Sequence, residues 1–260
     1  ISRDLKASDY APTLFSAKVG TKVWGVPHGA NPIALAYNKT IFDKAGEAYP
    51  TNSWTYDKMI EVAKKLNIPN DDQSKQVYGF LTTMNIAQGW FPWIKSTGGN
   101  CLDATLTKAD FTNPKTYEGV TKWANTFLVD KIAPDTSMSV TDRFGANKGA
   151  MIFLQYSETV GLNSKYKNLD YDTVMIPKAA DGKRYVTTIV NSWVVYSGAK
   201  DSSKDAAWEW LKYYLSDEGQ NQVAKEGATV AIKLSSASKL DTTTKPKNKA
   251  AFIQGMGEGG

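Results

Sequence analysis

Val26-Pro-His-Gly-Ala-Asn-Pro-Ile-Ala-Leu-Ala-Tyr-Asn-Lys-Thr-Ile-Phe-Asp-Lys-Ala-Gly46 runs on through Pro50-Thr-Asn-Ser-Trp-Thr-Tyr-Asp57 into Met59-Ile-Glu-Val-Ala-Lys-Lys-Leu66. It reads as an apolar run, a turn and then an amphipathic helix. Thr55 suits the N-cap, because its hydroxyl can accept from an otherwise unpaired backbone N–H of the first turn. Trp54 before it and Met59 inside it have the spacing of a hydrophobic staple. Met59, Ile60, Val62, Ala63 and Leu66 then supply one apolar face.

Outward from this stretch, strands and helices alternate. Residues 1 to 22 read as a surface connection, and Val23 to Val26 as a short strand leading to Pro27. Ile33 to Tyr37 is a buried strand. Asn113-Pro114 starts a helix, since proline lacks only an N–H that would be unpaired there anyway, and Tyr117, Val120, Ala124, Phe127 and Leu128 mark its expected buried face. A short helix over 141–147 precedes a strand from Ala150 to Leu154. Tyr171 to Ile176 and Tyr185 to Tyr196 read as strands. Helices follow from Ser203 to Leu215 and from Asp217 to Glu226, with Gly227 as the stop. Residues 235 to 250 have linker composition, and Gly255 to Gly260 read as turns or a flexible end. The mixture defines an α/β class.

Composition narrows the function. The 260 residues are 42% hydrophobic and 12% aromatic, enough for a core and far from a disordered profile. No apolar run approaches the ~20 residues that span a bilayer. Cys101 is the only cysteine and His28 the only histidine, so neither a disulfide within the chain nor a cysteine or histidine metal cluster is expected. The net charge of +5 is spread over single and paired lysines. Only Lys245-Pro-Lys247-Asn-Lys249 is clustered, and it reads as solvated surface. No continuous basic face argues for nucleic acid.

The opening stretch closely resembles the extracellular solute-binding proteins of sugar-type ABC importers, which carry a similar IP-x-x-x-N…YNK-x-(I/L)-F…AG…P-x-x-W-(T/D) segment. Trp90-Phe-Pro-Trp-Ile-Lys-Ser-Thr-Gly-Gly99 is similar to that family's aromatic run ending in two glycines. Phe144-Gly-Ala-Asn-Lys-Gly-Ala-Met-Ile-Phe153 resembles its F-x-x-G-K-x-A-M segment, and Tyr156 falls where an aromatic is frequent. Ile176-Pro-Lys178 with Gly182-Lys-Arg184 is similar to its P-L-P-K…G-(K/R) turn. Trp193 sits in the slot of its G-G-W, and Ala206 to Gln220 resembles its helix followed by S-x-E-x-Q. The blocks keep the family order over residues 20 to 232.

The resemblance implies a periplasmic-binding-protein-like type II fold of two lobes. The chain would cross the hinge near His28–Ala30, near Asn191–Val195 and near Ala231–Leu234. It divides the chain into 1–29 (first-lobe remnant and hinge approach), 30–190 (second lobe, nearly complete), 191–232 (hinge strand and first-lobe helices) and 233–260 (return toward the second lobe). Family members begin with a βαβ region and continue beyond the Gly-Glu-Gly-Gly260 end. A fragment of a longer protein is therefore expected, with most of the first lobe missing. Trp208, Trp210, Tyr213, Tyr214 and Leu215 are expected to form an exposed apolar patch.

A sugar presents C–H faces and rings of hydroxyls. Its site needs flat aromatics and a few planar polar groups. Trp90, Trp93, Tyr156 and Trp193 are the aromatic candidates. The resemblance places Tyr156 and Trp193 at cleft-facing turns and Trp90 at a helix start, while Trp93 is assigned to the core. Asn31 is either a ligand-bonding amide after the hinge or a turn-stabilising residue before Pro32. His28 is a hinge-lining residue that could also bond ligand. Gln88, Ser157, Glu158, Asn191 and Ser192 flank the aromatics. Asn191-Ser192 replaces the family's Gly-Gly, which exchanges backbone approach for side-chain contact.

A glycosidase would need a carboxylic acid paired with a base or nucleophile. Asp135, Asp142 and Glu158 are loop carboxylates, but nothing pairs two of them, and no hydrolase elbow, phosphate loop or zinc-protease motif occurs. The expected function is non-catalytic: capture of a mono- or oligosaccharide in an interlobe cleft and delivery to an ABC membrane permease. No cofactor and no metal are expected. The chain should act as a monomer, outside the cytoplasm, in a periplasmic or lipid-anchored form whose export signal is not in this sequence. An anionic solute (a uronate or glycerol phosphate) is the alternative within the class, and a secreted glycoside-processing enzyme the rival outside it.

Overall fold

The computed structural model describes residues 5–72, 74–134, 139–241 and 243–258, with side chains to residue 254. Asp135 lies outside them. Two compact units emerge: unit 1 comprises Ile1–Pro32 with Thr188–Asp241, and unit 2 comprises Ile33–Thr187 with Thr242–Gly260. The chain thus passes between units at 32/33, 187/188 and 241/242.

In chain order, a two-residue hairpin, β1 (Lys18–Val19) and β2 (Lys22–Val23), precedes the long strand β3 (Val26–Asn38). The stretch read as a turn is helix α1 (Lys39–Ala45), because Asn38 accepts from the Ile41 N–H at 3.1 Å and Gly46 closes the last turn. Next come α2 (Tyr56–Leu66), β4 (Tyr78–Leu81), a π-helical turn over Ile86–Trp90, α3 (Phe91–Ser96) and α4 (Pro114–Leu128). Helix α5 (Val140–Gly145), β5 (Gly149–Gln155), α6 (Glu158–Lys165), β6 (Tyr171–Val174) and β7 (Thr188–Trp193) follow. The chain closes with α7 (Asp201–Tyr214), α8 (Asp217–Glu226), α9 (Leu234–Ala237) and α10 (Ala250–Glu258). No described helix is long and apolar enough to cross a membrane.

Unit 2 is built on a sheet of order β4-β5-β3-β6, in which β3 runs antiparallel to β5 and β6 while β4 is parallel to β5. The second half of β3 is buried without alternation, as expected for a strand covered on both faces. Thr55 caps α2, accepting from the Lys58 N–H at 3.2 Å, and Trp54 and Met59 share one apolar cluster with Val62, Ala63 and Leu66. Helix α2 lies so close to β4 that a Cβ on Gly79 would stand 1.8 Å from the Ala63 carbonyl oxygen. Gly79→Ala is therefore expected to cost about 2 kcal/mol by overpacking. A melting temperature lowered by about 4–8 °C would register it; an unchanged melting temperature would show that α2 can move at no cost.

Several expectations are corrected. Helix α4 buries Thr116, Gly119, Trp123 and Thr126, while Tyr117 and Leu128 are exposed. Trp123 turns inward because its indole N–H donates to Thr82 Oγ1 at 3.0 Å, which fixes the helix rotation. The described residues of the linker-like stretch 235–250 make specific contacts: Asn248 donates from Nδ2 to the Thr173 carbonyl at 2.8 Å, and Asn163 donates to the Lys245 carbonyl at 2.5 Å. The lysine cluster is only partly a solvated surface: Lys247 is exposed, but its two neighbours are drawn into the protein. Lys249 is 5% exposed with Nζ 2.7 Å from Thr244 Oγ1, and Lys245 Nζ donates to the Leu169 carbonyl. Gly255 to Glu258 continue α10.

Unit 1 pairs the first half of β3 antiparallel with β7. Within it, Tyr10, Ala11 and Leu14 are buried, so the N-terminal connection is packed and not merely superficial. The Tyr10 hydroxyl donates to the Leu215 carbonyl at 2.7 Å. Leu215 itself is buried, whereas Trp210 and Tyr213 are exposed as expected. Ser216 caps α8, accepting from the Gly219 N–H at 3.2 Å.

Candidate functional site

The β3–β7 ladder determines where His28 goes. Val26 pairs with Trp193, Pro27 with Ser192 and Gly29 with Asn191, with a shift in register between Pro27 and Gly29. His28 is the extra residue of this bulge, and a bulge re-aims its side chain out of the normal alternation. The imidazole meets the Trp193 ring edge-on at 5.1 Å and stacks on Tyr214 at 5.9 Å. The Tyr214 hydroxyl donates to the His28 carbonyl oxygen, and burial raises that phenol's pKa. Gly29 is required by close approach, since a Cβ there would stand 2.4 Å from Thr229 Cγ2. Thr229 in turn donates to the Ala30 carbonyl at 3.0 Å.

Trp210 completes the arrangement, perpendicular to Trp193 at 5.2 Å and stacked on Tyr214 at 5.3 Å. Trp193 is thus held by three rings and remains 39% exposed. His28, Asn191, Ser192 and Trp193 line an open pocket of about 240 Å³. The side chains of His28, Asn191 and Ser192 make no hydrogen bond within the described residues, so an amide, a hydroxyl and an imidazole are free beside an aromatic face. Asn31 pairs with Ile189 in the ladder and is not part of this lining.

The other sequence candidates lie in unit 2. Glu158 accepts from Thr141 Oγ1 at 2.9 Å on one oxygen, and from Gln88 Nε2 at 2.7 Å and the Gln155 N–H at 2.8 Å on the other. Gln88 also donates to the Phe153 carbonyl at 2.9 Å, and its own oxygen accepts from Gln155 and Asn85. Gln88 and Glu158 are therefore brought together, but their polar atoms serve each other and pin the π-helical turn to β5. Tyr156, expected to stack on ligand, is 1% exposed with its ring edge-on to Phe252 of α10 at 5.3 Å, so it is core and not a ligand platform. Ser157 precedes α6 and is half-buried. Trp90 is half-buried against Phe91 and Phe111. Trp93 is core. Among the described residues no three acidic, histidine or cysteine side chains are grouped to hold a metal.

Sequence reasoning missed the roles of Trp210 and Tyr214. Their i,i+4 spacing on α7 was the available signal, because it puts two rings on one helix face.

The family of bacterial extracellular solute-binding proteins matches residues 1–251, and this chain belongs to it. A binding protein of Brucella abortus is 24% identical over 234 residues, covering 80% of this chain and 52% of that protein. The maltotriose-binding protein of Pyrococcus abyssi is 24% identical over 202 residues, 75% of this chain and 40% of that protein. The chain thus spans about half the length of the curated relatives it matches. The structure of the ABC substrate-binding protein Lmo0181 from Listeria monocytogenes in complex with cycloalternan superposes with a TM-score of 0.84 at 20% identity, over 100% of this chain and 66% of that one. That likeness establishes the shared α/β fold.

Proposed function

We propose that this chain is the saccharide-binding part of an ABC importer's extracytoplasmic solute receptor, which hands its ligand to a membrane permease without altering it. The observation that carries the reading is the pocket of unit 1, where a half-exposed indole held by three other rings stands beside Asn191, Ser192 and His28. An indole face covers the C–H side of a pyranose, and an amide that donates and accepts matches a vicinal diol. Among the described residues, the pocket lining contains no lysine or arginine, which favours a neutral sugar over a uronate or glycerol phosphate. The maltotriose- and cycloalternan-binding relatives support an oligosaccharide. A glycosidase reading loses its best acid, because both Glu158 oxygens are occupied by protein donors. The protein works as a monomer in this reading.

A thermal-shift panel of mono- and oligosaccharides, with sugar acids included, tests the proposal. Ligand at a hundred times its dissociation constant contributes about 2.7 kcal/mol, a rise of about 5–10 °C for a chain of this length. A response to one neutral oligosaccharide series, with the sugar recovered intact, is the expected result. A response confined to sugar acids would refute the neutral-ligand assignment. Release of reducing sugar that disappears in Glu158→Gln would refute the non-catalytic one.

A further inference from the structure

Unit 2 holds a second cavity, of about 230 Å³, formed by α1, the C-terminal end of α2 and the segments carrying Ile68, Val77 and Asn147. We propose that it binds a short amphipathic monocarboxylate, with the hydrocarbon in the cavity and the carboxylate at Lys44. The floor is apolar and fixed: Ile41 and Leu66 are buried members of the unit 2 core. One wall is rigid, because Ile68 and Val77 exchange backbone hydrogen bonds of 2.8 and 3.1 Å. Ile68 nevertheless leaves 58% of its surface exposed, an apolar group presented to whatever enters. Asn147 is held on the rim in a left-handed conformation, its Oδ1 accepting from Asn38 at 2.7 Å.

Charge decides the ligand class. Among the described residues, the lining includes two lysines and no acidic residue. Lys65 is engaged by Glu61 at 3.0 Å and Glu47 at 3.5 Å, whereas Lys44 has no hydrogen-bond or ion-pair partner among the described residues. A free ammonium at the mouth of an apolar cavity selects one anionic head group on an apolar chain. It disfavours a polyol, whose hydroxyls would be left unpaired on the floor. A cavity of about 230 Å³ accommodates a hydrocarbon chain of medium length, for which octanoate is the probe.

The test is calorimetric titration of the full chain with octanoate, octan-1-ol and octylammonium, alongside methyl NMR shifts. Octanoate is expected to bind one to one and to shift the methyls of Ile41, Leu66, Ile68 and Val77. Octan-1-ol should bind at least about tenfold more weakly, the usual worth of a hydrogen bond to a charged group, and octylammonium not at all. Lys44→Gln should bring octanoate down to the level of the alcohol, and Ala45→Trp should fill the cavity and abolish binding. Saccharide binding should persist in both variants, and octanoate binding should persist in Trp193→Ala. Equal affinity for acid and alcohol, absence of binding at millimolar octanoate, or shifts confined to methyls outside the cavity would each overturn the proposal. The methyl readout applies to the unmodified protein, so the outcome does not depend on either variant folding.

Discussion

Trp193→Ala is expected to weaken saccharide binding by about 30- to 150-fold, the 2–3 kcal/mol of a well-seated aromatic hot spot. Three contacts fix this ring before ligand arrives: His28 at 5.1 Å, Trp210 at 5.2 Å and Tyr214 at 6.2 Å. Little rotamer entropy is then lost on binding, so most of the stacking gain appears as affinity. Trp193→Phe keeps a smaller flat face and should lose roughly tenfold. Calorimetry with the sugar selected by the thermal-shift panel measures both, and circular dichroism checks that the fold is intact. An affinity within twofold of the parent for Trp193→Ala would remove this pocket from the binding site.

Trp93→Ala should be the most damaging of these changes to stability, at about 3–5 kcal/mol. The residue is 0% exposed and packs edge-to-face with Tyr56 at 5.2 Å and Phe80 at 5.8 Å, with Phe153 at 6.5 Å. It therefore joins α2, β4, α3 and β5 at one point of the unit 2 core. Truncation removes the burial of a large ring and leaves a cavity that these rigid neighbours cannot collapse into. A melting temperature lowered by about 6–20 °C is the expected reading. A fall of only a degree or two would mean that the core repacks.

Most of the fold could be read locally. Asn38, Thr55, Asn113 and Ser216 cap helices with side-chain bonds spanning no more than three residues, and such signals survive in any tertiary context. The rotation of α4 could not be read this way. Tyr117 and Leu128 are apolar at helical spacing, yet the bond from Trp123 to Thr82 turns another face inward. The candidate site divides in the same manner. Trp193 and Asn191-Ser192 could be picked out from their motif, although they end strand β7 and do not form the turn expected of them. The bulge at His28, by contrast, exists only once β3 and β7 are in register.

From its sequence alone, this protein's α/β class, its solute-binding family and its aromatic candidates could be determined, because periodicity, capping and ordered motif blocks are properties of neighbouring residues. Only the tertiary structure decided which aromatics face solvent and which polar groups are free. Tyr156 and Trp193 are alike in local context, but Phe252 arrives from the far end of the chain to cover one and not the other. Glu158 looks available until Thr141, Gln88 and Gln155 occupy its oxygens. Lys44 looks like any surface lysine until Ile68 and Val77 close an apolar wall beside it. In each case the deciding partner is distant in sequence, and burial and hydrogen-bond saturation depend on partners that only folding brings within reach.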